Sequence, residues 1–364
     1  MPAYRRGLLE ELRDLEHLVR FHVGDRFFHG SPRSDPGLLK SPLVTSVGRN
    51  RFLFGGRLAW QAIKVRSVIE AEVVVVELNP RVLSSWLVIL LRRARGRPTV
   101  GWGHATSRAG GDPGFVRAFL ERACNGIIAY TPEDAALFRT RLPGRWIRSA
   151  NNALYSANLL SSRRVGDARG FLSIGRLTKS KKPLVVIECF ARAAPSLPKD
   201  FTLHLVGDGE ERPAAEALSR QLGIDGRVVF HGEVNDPELL RPIFHSVRAL
   251  IATGYIGLNA IQALGFGVPV IYPYDEPHAP EVVLLNDLNS RAYSSKEALS
   301  ELPAILVDLA SSSPSEKFGA PAELSARIAD EHSTEQMASP FRELAAGASE
   351  IVANNAITTP GVDR

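Results

Sequence analysis

Cysteine is nearly absent from this chain, which has only Cys124 and Cys189 in 364 residues. Two thiols make no framework of bridges, which excludes a disulfide-stapled scaffold and fits a reducing compartment. Methionine is as scarce, with two, and aromatic residues make up 7%. The longest apolar runs, Val73–Val76 and Trp86–Leu91, fall far short of the roughly 18–20 residues that span a bilayer. Glu10, Glu11 and Asp14 break up the amino-terminal stretch, so it does not read as a signal peptide. There is no internal repeat and no low-complexity tract. The nine histidines show no zinc-ligand spacing, so no metal site is expected. Few aromatics and no recognisable basic motif argue against nucleic-acid binding. A cytoplasmic protein is the expectation.

What remains is ordinary globular composition, 45% hydrophobic and 23% charged, over a length that suggests two domains. The halves differ in charge. Residues 1–150 carry 24 Lys+Arg against 13 Asp+Glu, and the remainder carries 20 against 26. A surplus of 11 and a deficit of 6 give the net +5 and suggest that the halves meet different partners.

Short apolar runs alternate with helical patterns. Glu72–Glu77, Thr99–Trp102 and Gly126–Tyr130 read as strands, with helical segments at Leu83–Arg93 and Phe115–Cys124 between them. A second series starts at Gly170–Gly175 and continues through strands at Phe201–Val206, Arg227–Phe230, Leu250–Ala252 and Val268–Ile271. The fold class is therefore α/β, with two Rossmann-like, doubly wound parallel sheets and a ligand cleft expected between them. The expected domains are 1–160, 161–340 and a tail 341–364 whose helix returns to the first domain and then frays. The polar stretch 161–170 is the best linker. The chain opens on a helical pattern, Tyr4–Leu9, where an open sheet would start with a strand, so either the first strand is missing, the favoured expectation, or the sheet order differs.

Four segments carry chemistry. Ile174–Pro183 turns from strand to helix and bears Arg176, Lys179, Lys181 and Lys182, a setting in which side-chain cations and a positive helix end hold a diphosphate. A solvated basic loop is the competing reading. Leu205–Glu211 ends a strand in Gly207-Asp208-Gly209, a sharp turn on which a base or ribose can rest. Thr253–Ile271 gathers glycines ahead of a helix starting at Leu258, so backbone can approach an anion closely. Pro273–Val283 is a proline-pinned polar loop containing His278 and Glu281.

Taken in order, these segments resemble family 4 of the retaining glycosyltransferases, with the two-domain GT-B fold. The resemblance runs from about Phe171 to Tyr293. It comprises the Gly-Arg-Leu turn with Lys181 five residues on, Val-Gly-Asp-Gly, Val-Phe-His-Gly-Glu-Val at 229–234, the Gly-Leu helix start, Gly-Val-Pro-Val-Ile, and Pro-Glu-Val with Asn286-Asp287-Leu288-Asn289. Looser matches at Glu77–Arg81, Gly101–His104, Ala129–Thr131 and Asn151-Asn152 are similar to the members that build bacterial surface polysaccharides.

The resemblance implies that Arg176 and Lys181 hold the donor diphosphate, with the amides around Gly257, Leu258 and Asn259 on its other side. It implies that Gly207, Asp208, Gly209 and Val234 lie near the nucleobase, and that His104 faces the transferred sugar. The partners implied are a nucleotide sugar and a glycan or lipid-linked acceptor, with no metal and no further cofactor. One departure stands out: the family's two glutamates, eight positions apart, are here Gly254 and Gln262. Gln262 retains a carbonyl oxygen for the ribose, and Glu281 or His278 is left to contact the sugar. A non-catalytic nucleotide-sugar-binding homologue and a nucleotide-sugar 2-epimerase remain alternatives. Arg92, Arg93, Arg95 and Arg97 follow an apolar helix, so this helix is also a candidate for peripheral contact with an anionic membrane.

Overall fold

A computed structural model describes residues 1, 3–25, 28, 35–106, 114–161, 168–311 and 314–347. Most of the expected linker 161–170 and the expected frayed end lie outside the described residues. The chain forms two compact units, Met1–Leu154 with the chain from Thr334 onward, and Tyr155–Ser333.

In the first unit, Phe21–Gly24 (β1) pairs in parallel with Val44–Gly48 (β2). Asn50–Leu53 (β3) and Leu58–Gln61 (β4) form an antiparallel hairpin whose turn places Phe54, Gly55 and Gly56 at positive φ. A four-stranded parallel sheet then runs in chain order through Val74–Glu77 (β5), Thr99–Gly103 (β6), Gly126–Ala129 (β7) and Trp146–Ser149 (β8). Alternation along β6 to β8 sends residues to both faces, as expected for a sheet covered on each side. Val100, Ile128 and Trp146 pack with Leu8, Leu9 and Leu12 and with Met337 and Phe341 of the helix Thr334–Ala346. Ile127, Ala129 and Ile147 pack on the other side with Val88, Ile89, Leu120 and Phe138. Glycine is required at 101, where an added Cβ would lie 2.5 Å from the Leu78 side chain.

The cationic helix departs from expectation. Within Leu83–Ala94, Arg92 is fully buried. Its guanidinium donates to the carbonyls of Val68, Ile69, Ala71, Glu72 and Pro98 and to Thr99 Oγ1. Arg97 donates to the carbonyls of Glu70 and Ala71. Both tie the helix end to neighbouring backbone, so neither forms part of a membrane-facing cationic cluster. Burial also brings the Arg92 pKa down to about 10. No helix among the described residues is long and apolar enough to cross a membrane.

The second unit is built on a six-stranded parallel sheet. Its strands are Gly170–Ile174 (β9), Thr202–Val206 (β10), Val228–Gly232 (β11), Ala249–Ile251 (β12), Val270–Pro273 (β13) and Ser290–Tyr293 (β14). The spatial order is β11-β10-β9-β12-β13-β14, so the chain winds outward one way from β9 and then the other way from β12. That reversal between β9 and β12 is a topological switch point, where open α/β sheets bind ligands. One face is packed by the helices Pro183–Ala193 and Ala298–Ser311, through Val186, Phe190, Leu302 and Leu306 against Phe171, Leu203 and Ile271. Leu258–Gly265 follows β12 and is almost entirely buried. Both cysteines are buried thiols, and Cys189 Sγ donates to the Ala298 carbonyl.

Candidate functional site

The site of the second unit is assembled from the turns that leave β9, β10 and β12. After β9 the chain passes Gly175 and the exposed Arg176 and folds Thr178–Lys182 into a tight turn, with the Lys181 amide bonded to the Thr178 carbonyl. Lys182 is left-handed, at φ 52° and ψ 51°, directly before Pro183 at the start of a helix. A non-glycine residue there costs on the order of 1–3 kcal/mol unless its surroundings hold it. They do, because buried Thr253 Oγ1 donates to the carbonyls of Lys181 and Lys182 at 3.0 and 2.9 Å. The Lys182 ammonium also pairs with Glu276 at 2.5 Å.

The β10 turn lies flush on this loop. Gly207, at φ +131°, has the Gly175 carbonyl oxygen 2.0 Å from where a Cβ would stand. The Leu177 amide donates to the Asp208 carbonyl, and the Leu177 carbonyl accepts from Glu211. Gly209 donates to Asp208 Oδ1, while Asp208 Oδ2 pairs with Arg212 at 2.9 Å. These bonds hold the Asp208 carboxyl below the usual carboxylate range. Val234, beyond β11, is half-buried.

The β12 turn is equally close on the other side. A Cβ at Gly254 would stand 2.1 Å from the Ser180 carbonyl oxygen and 3.0 Å from Lys181 Cα. No glutamate fits here without separating the two loops, which accounts physically for the departure noted above. Tyr255 stands next to it, and Lys181 engages it twice. Lys181 Nζ donates to the Tyr255 carbonyl at 2.8 Å and lies 3.5 Å from the ring centroid. Burial, and then the nearby Arg176 charge, bring the Lys181 ammonium down to about 8. The two expected phosphate ligands are therefore close together, beside the turn that leads to Gly257.

Two details differ from expectation. The Gly257 amide is taken by Asn259 Oδ1 at 2.9 Å, so the donors left at this helix start are the Leu258 and Asn259 amides, which have no intrahelical partner. His278 accepts from the Ile256 amide at Nδ1 (3.0 Å) and engages the Pro273 carbonyl through Nε2 (2.6 Å). With both ring nitrogens committed to backbone, it staples the glycine turn to the end of β13 and has no ring nitrogen left for a sugar. Glu281 is buried in the short helix Pro280–Leu284, with Oε2 3.8 Å from the position of a Gly257 Cβ. Gln262 is buried too, its amide nitrogen bonded to Tyr155 Oη.

His104, at the end of β6, belongs to the first unit. Its Nδ1 lies 2.9 Å from Asp134 Oδ2, its ring packs on Tyr130, and its side chain is partly exposed. Asp134 Oδ1 accepts from the Ala105 amide, and Arg117 and Arg141 bond the carbonyls of His104, Ala105 and Thr106. An ionised Asp134 favours a proton on Nδ1, leaving Nε2 as an acceptor. Sequence reasoning missed Asp134, although Thr131-Pro-Glu-Asp134 is a helix start with Thr131 as its cap. It also missed Thr253 and Tyr255, which carry no signal outside the folded loops.

Residues 168–299, within the second unit, match the family described as Glycosyl transferases group 1. Among curated relatives, the lipopolysaccharide 1,6-galactosyltransferase of Salmonella typhimurium is 28% identical over 130 residues, 34% of this chain and 35% of that one. The lipopolysaccharide core biosynthesis glycosyltransferase LpsE of Rhizobium meliloti is 28% identical over 201 residues, 53% of this chain and 55% of its own. The chain thus spans about a third to about half of these relatives' lengths. Among solved structures, Anabaena Alr3699/HepE in complex with UDP superposes with a TM-score of 0.63 at 17% identity, covering 94% of this chain and 96% of that one. The lipopolysaccharide outer core galactosyltransferase WaaB in its apo form gives 0.58 at 16% identity, covering 93% and 95%. The fold is GT-B, two Rossmann-like α/β domains with parallel sheets.

Proposed function

We propose that this protein is a retaining glycosyltransferase that moves a hexose-type sugar from a nucleotide-diphosphate sugar to a hydroxyl of a glycan or glycolipid. Bacterial lipopolysaccharide or surface-polysaccharide synthesis is the setting that its relatives' names support, and the proposed compartment is the cytoplasm. One observation carries the reading. At the β9/β12 switch point, Arg176, Lys181 and the free amides of a buried helix start converge where a leaving diphosphate needs positive charge.

As the glycosidic bond stretches, the sugar becomes oxocarbenium-like and negative charge builds on the diphosphate. Fixed donors that strengthen with that charge lower the barrier without a metal, so no metal or further cofactor enters the scheme. Glu281 contacts the sugar beside Gly257, the carbonyl of Gln262 accepts from the ribose, and the β10 turn with Val234 borders the base. His104, oriented by Asp134, meets the transferred sugar through Nε2.

The test is Arg176→Ala, assayed by release of nucleoside diphosphate in the presence of acceptor. Loss of one such donor costs about 100- to 1000-fold in turnover. A change within threefold would remove Arg176 from this role. A second reading, a nucleotide-sugar-binding homologue without turnover, draws on the steric exclusion of a glutamate at Gly254. Calorimetric binding of UDP with no product from any acceptor would favour it.

A further inference from the structure

Gln262 stands in place of a carboxylate, and an amide and a carboxylate differ in what their two ends can do. The helix Leu258–Gly265 presents one stripe, at i, i+3 and i+7, through Asn259, Gln262 and Phe266 just past its end. Asn259 lies at the anion end of this stripe, its Nδ2 3.5 Å from the Ile174 carbonyl that closes β9. Phe266 lies at the far end, its ring 5.6 Å from that of Tyr155. Between them, Gln262 Nε2 donates to the Tyr155 hydroxyl. Tyr155 is the first residue of the second unit, so the whole contact lies inside that unit.

Both partners are held in place. Gln262 and Tyr155 are each 8% exposed. The segment after Tyr155 lies tightly on the same helix, since a Cβ at Gly265 would stand 2.6 Å from the Leu160 side chain. Burial pushes the Tyr155 hydroxyl up to about 12, so it stays protonated and neutral at ordinary pH. The Gln262 carbonyl oxygen, in contrast, has no partner among the described residues and is not closed off from solvent. Its nitrogen end is spent in the core, and one oxygen is left to accept. One oxygen aligns well with one ribose O–H, whereas the paired oxygens of a carboxylate align with two neighbouring ones.

We propose that Tyr155 is a positioning residue that fixes the Gln262 amide, so that this protein reads the donor ribose through one hydroxyl instead of two. The Tyr155 hydroxyl holds the nitrogen of the amide in the core and leaves the oxygen for the ligand. One ribose hydroxyl donates to that oxygen, and the other stays with solvent and adds little to affinity. The site therefore admits a wider class of donor than ribonucleotides. A nucleoside diphosphate sugar that lacks the unread hydroxyl, a 2′- or a 3′-deoxy donor, is held nearly as well. This rests on the ribose lying at Gln262, as in the proposed function, and extends that reading to what the site can tell apart.

Calorimetric titration of the full chain with UDP, 2′-deoxy-UDP and 3′-deoxy-UDP tests it. One deoxy analogue should bind about tenfold more weakly than UDP, and the other within about twofold of it. Gln262→Glu should bind UDP and lose about tenfold with each analogue, because both hydroxyls then find an acceptor. In Tyr155→Phe the amide can turn either end outward, so the difference between the two analogues should shrink to within about threefold. A Tyr155→Phe, Gln262→Glu double variant should bind UDP as Gln262→Glu does, since a carboxylate has no wrong end to present. A merely structural Tyr155 would weaken both pairs alike. Equal losses with the two analogues in the parent, or no loss with either, would overturn the proposal. So would unchanged discrimination in Tyr155→Phe, or a double variant no better than Tyr155→Phe alone. Failure of UDP to bind the parent at all would instead overturn the donor-site reading, and this inference with it.

Discussion

At the ends of β9, β10 and β12, backbone holds backbone. Carbonyls of Gly175, Leu177 and Ser180 sit where the side chains of Gly207, Gly209 and Gly254 would be, and one hydroxyl, Thr253, joins two carbonyls. At the end of β6 the construction is reversed. His104, Ala105 and Thr106 are held by side chains, Asp134, Arg117 and Arg141, from two separate helices. The first arrangement tolerates almost no added atom but has few side chains to lose. The second tolerates shape changes and depends on individual charges. The two sites should therefore fail differently.

The most damaging single change should be Gly254→Glu, which restores the family's usual residue. With the Ser180 oxygen 2.1 Å from the new Cβ, the loops must part. Overpacking of this kind costs about 1–3 kcal/mol, read from the urea midpoint, and UDP binding should disappear with it. Recovered activity would mean that the loops separate readily and the backbone platform is not rigid. Asp134→Asn tests the opposite arrangement. Turnover should fall by up to about 100-fold, the scale of a misplaced substrate-positioning group, while UDP affinity and melting temperature stay near parental values. A parallel loss of UDP affinity would contradict the separation of the two sites.

The smallest effect should be graded by pH. Because the Lys181 ammonium titrates near 8 in the free protein, below the 10.5 of an exposed lysine, its charge is lost as pH rises through 8. UDP affinity should be flat below about pH 7 and fall above pH 8 by up to about tenfold per unit. Replacing the ring in Tyr255→Leu should let water reach Lys181 and move the fall to higher pH. A pH limb unchanged in the Leu variant would show that Lys181 is not the group responsible for it.

Legibility followed the same division. The strands and glycine turns of the second unit could be read from sequence because strand period and glycine's tolerance of positive φ or close backbone approach are local properties, the first visible at Gly207-Asp208-Gly209 and the second at Gly254. The hairpin Asn50–Gln61 has a local signal in Gly55-Gly56, both at positive φ in its turn. Arg92 looked like surface charge because its five carbonyl partners come from segments up to 24 positions away. His278 looked like a sugar ligand, and only packing showed both nitrogens engaged.

By itself, the order of apolar runs and glycine turns determined two α/β halves and the position of the anion-binding turns, because both follow from short-range sterics and hydrogen bonding. Tertiary structure alone decided the fate of each charge. It buried Arg92, set Lys181 against Tyr255, paired Asp134 with His104 and left Arg93 and Arg122 in water. The reason is that a side chain's electrostatic role depends on solvent exposure and on neighbours distant in sequence, and neither exists until the chain has folded.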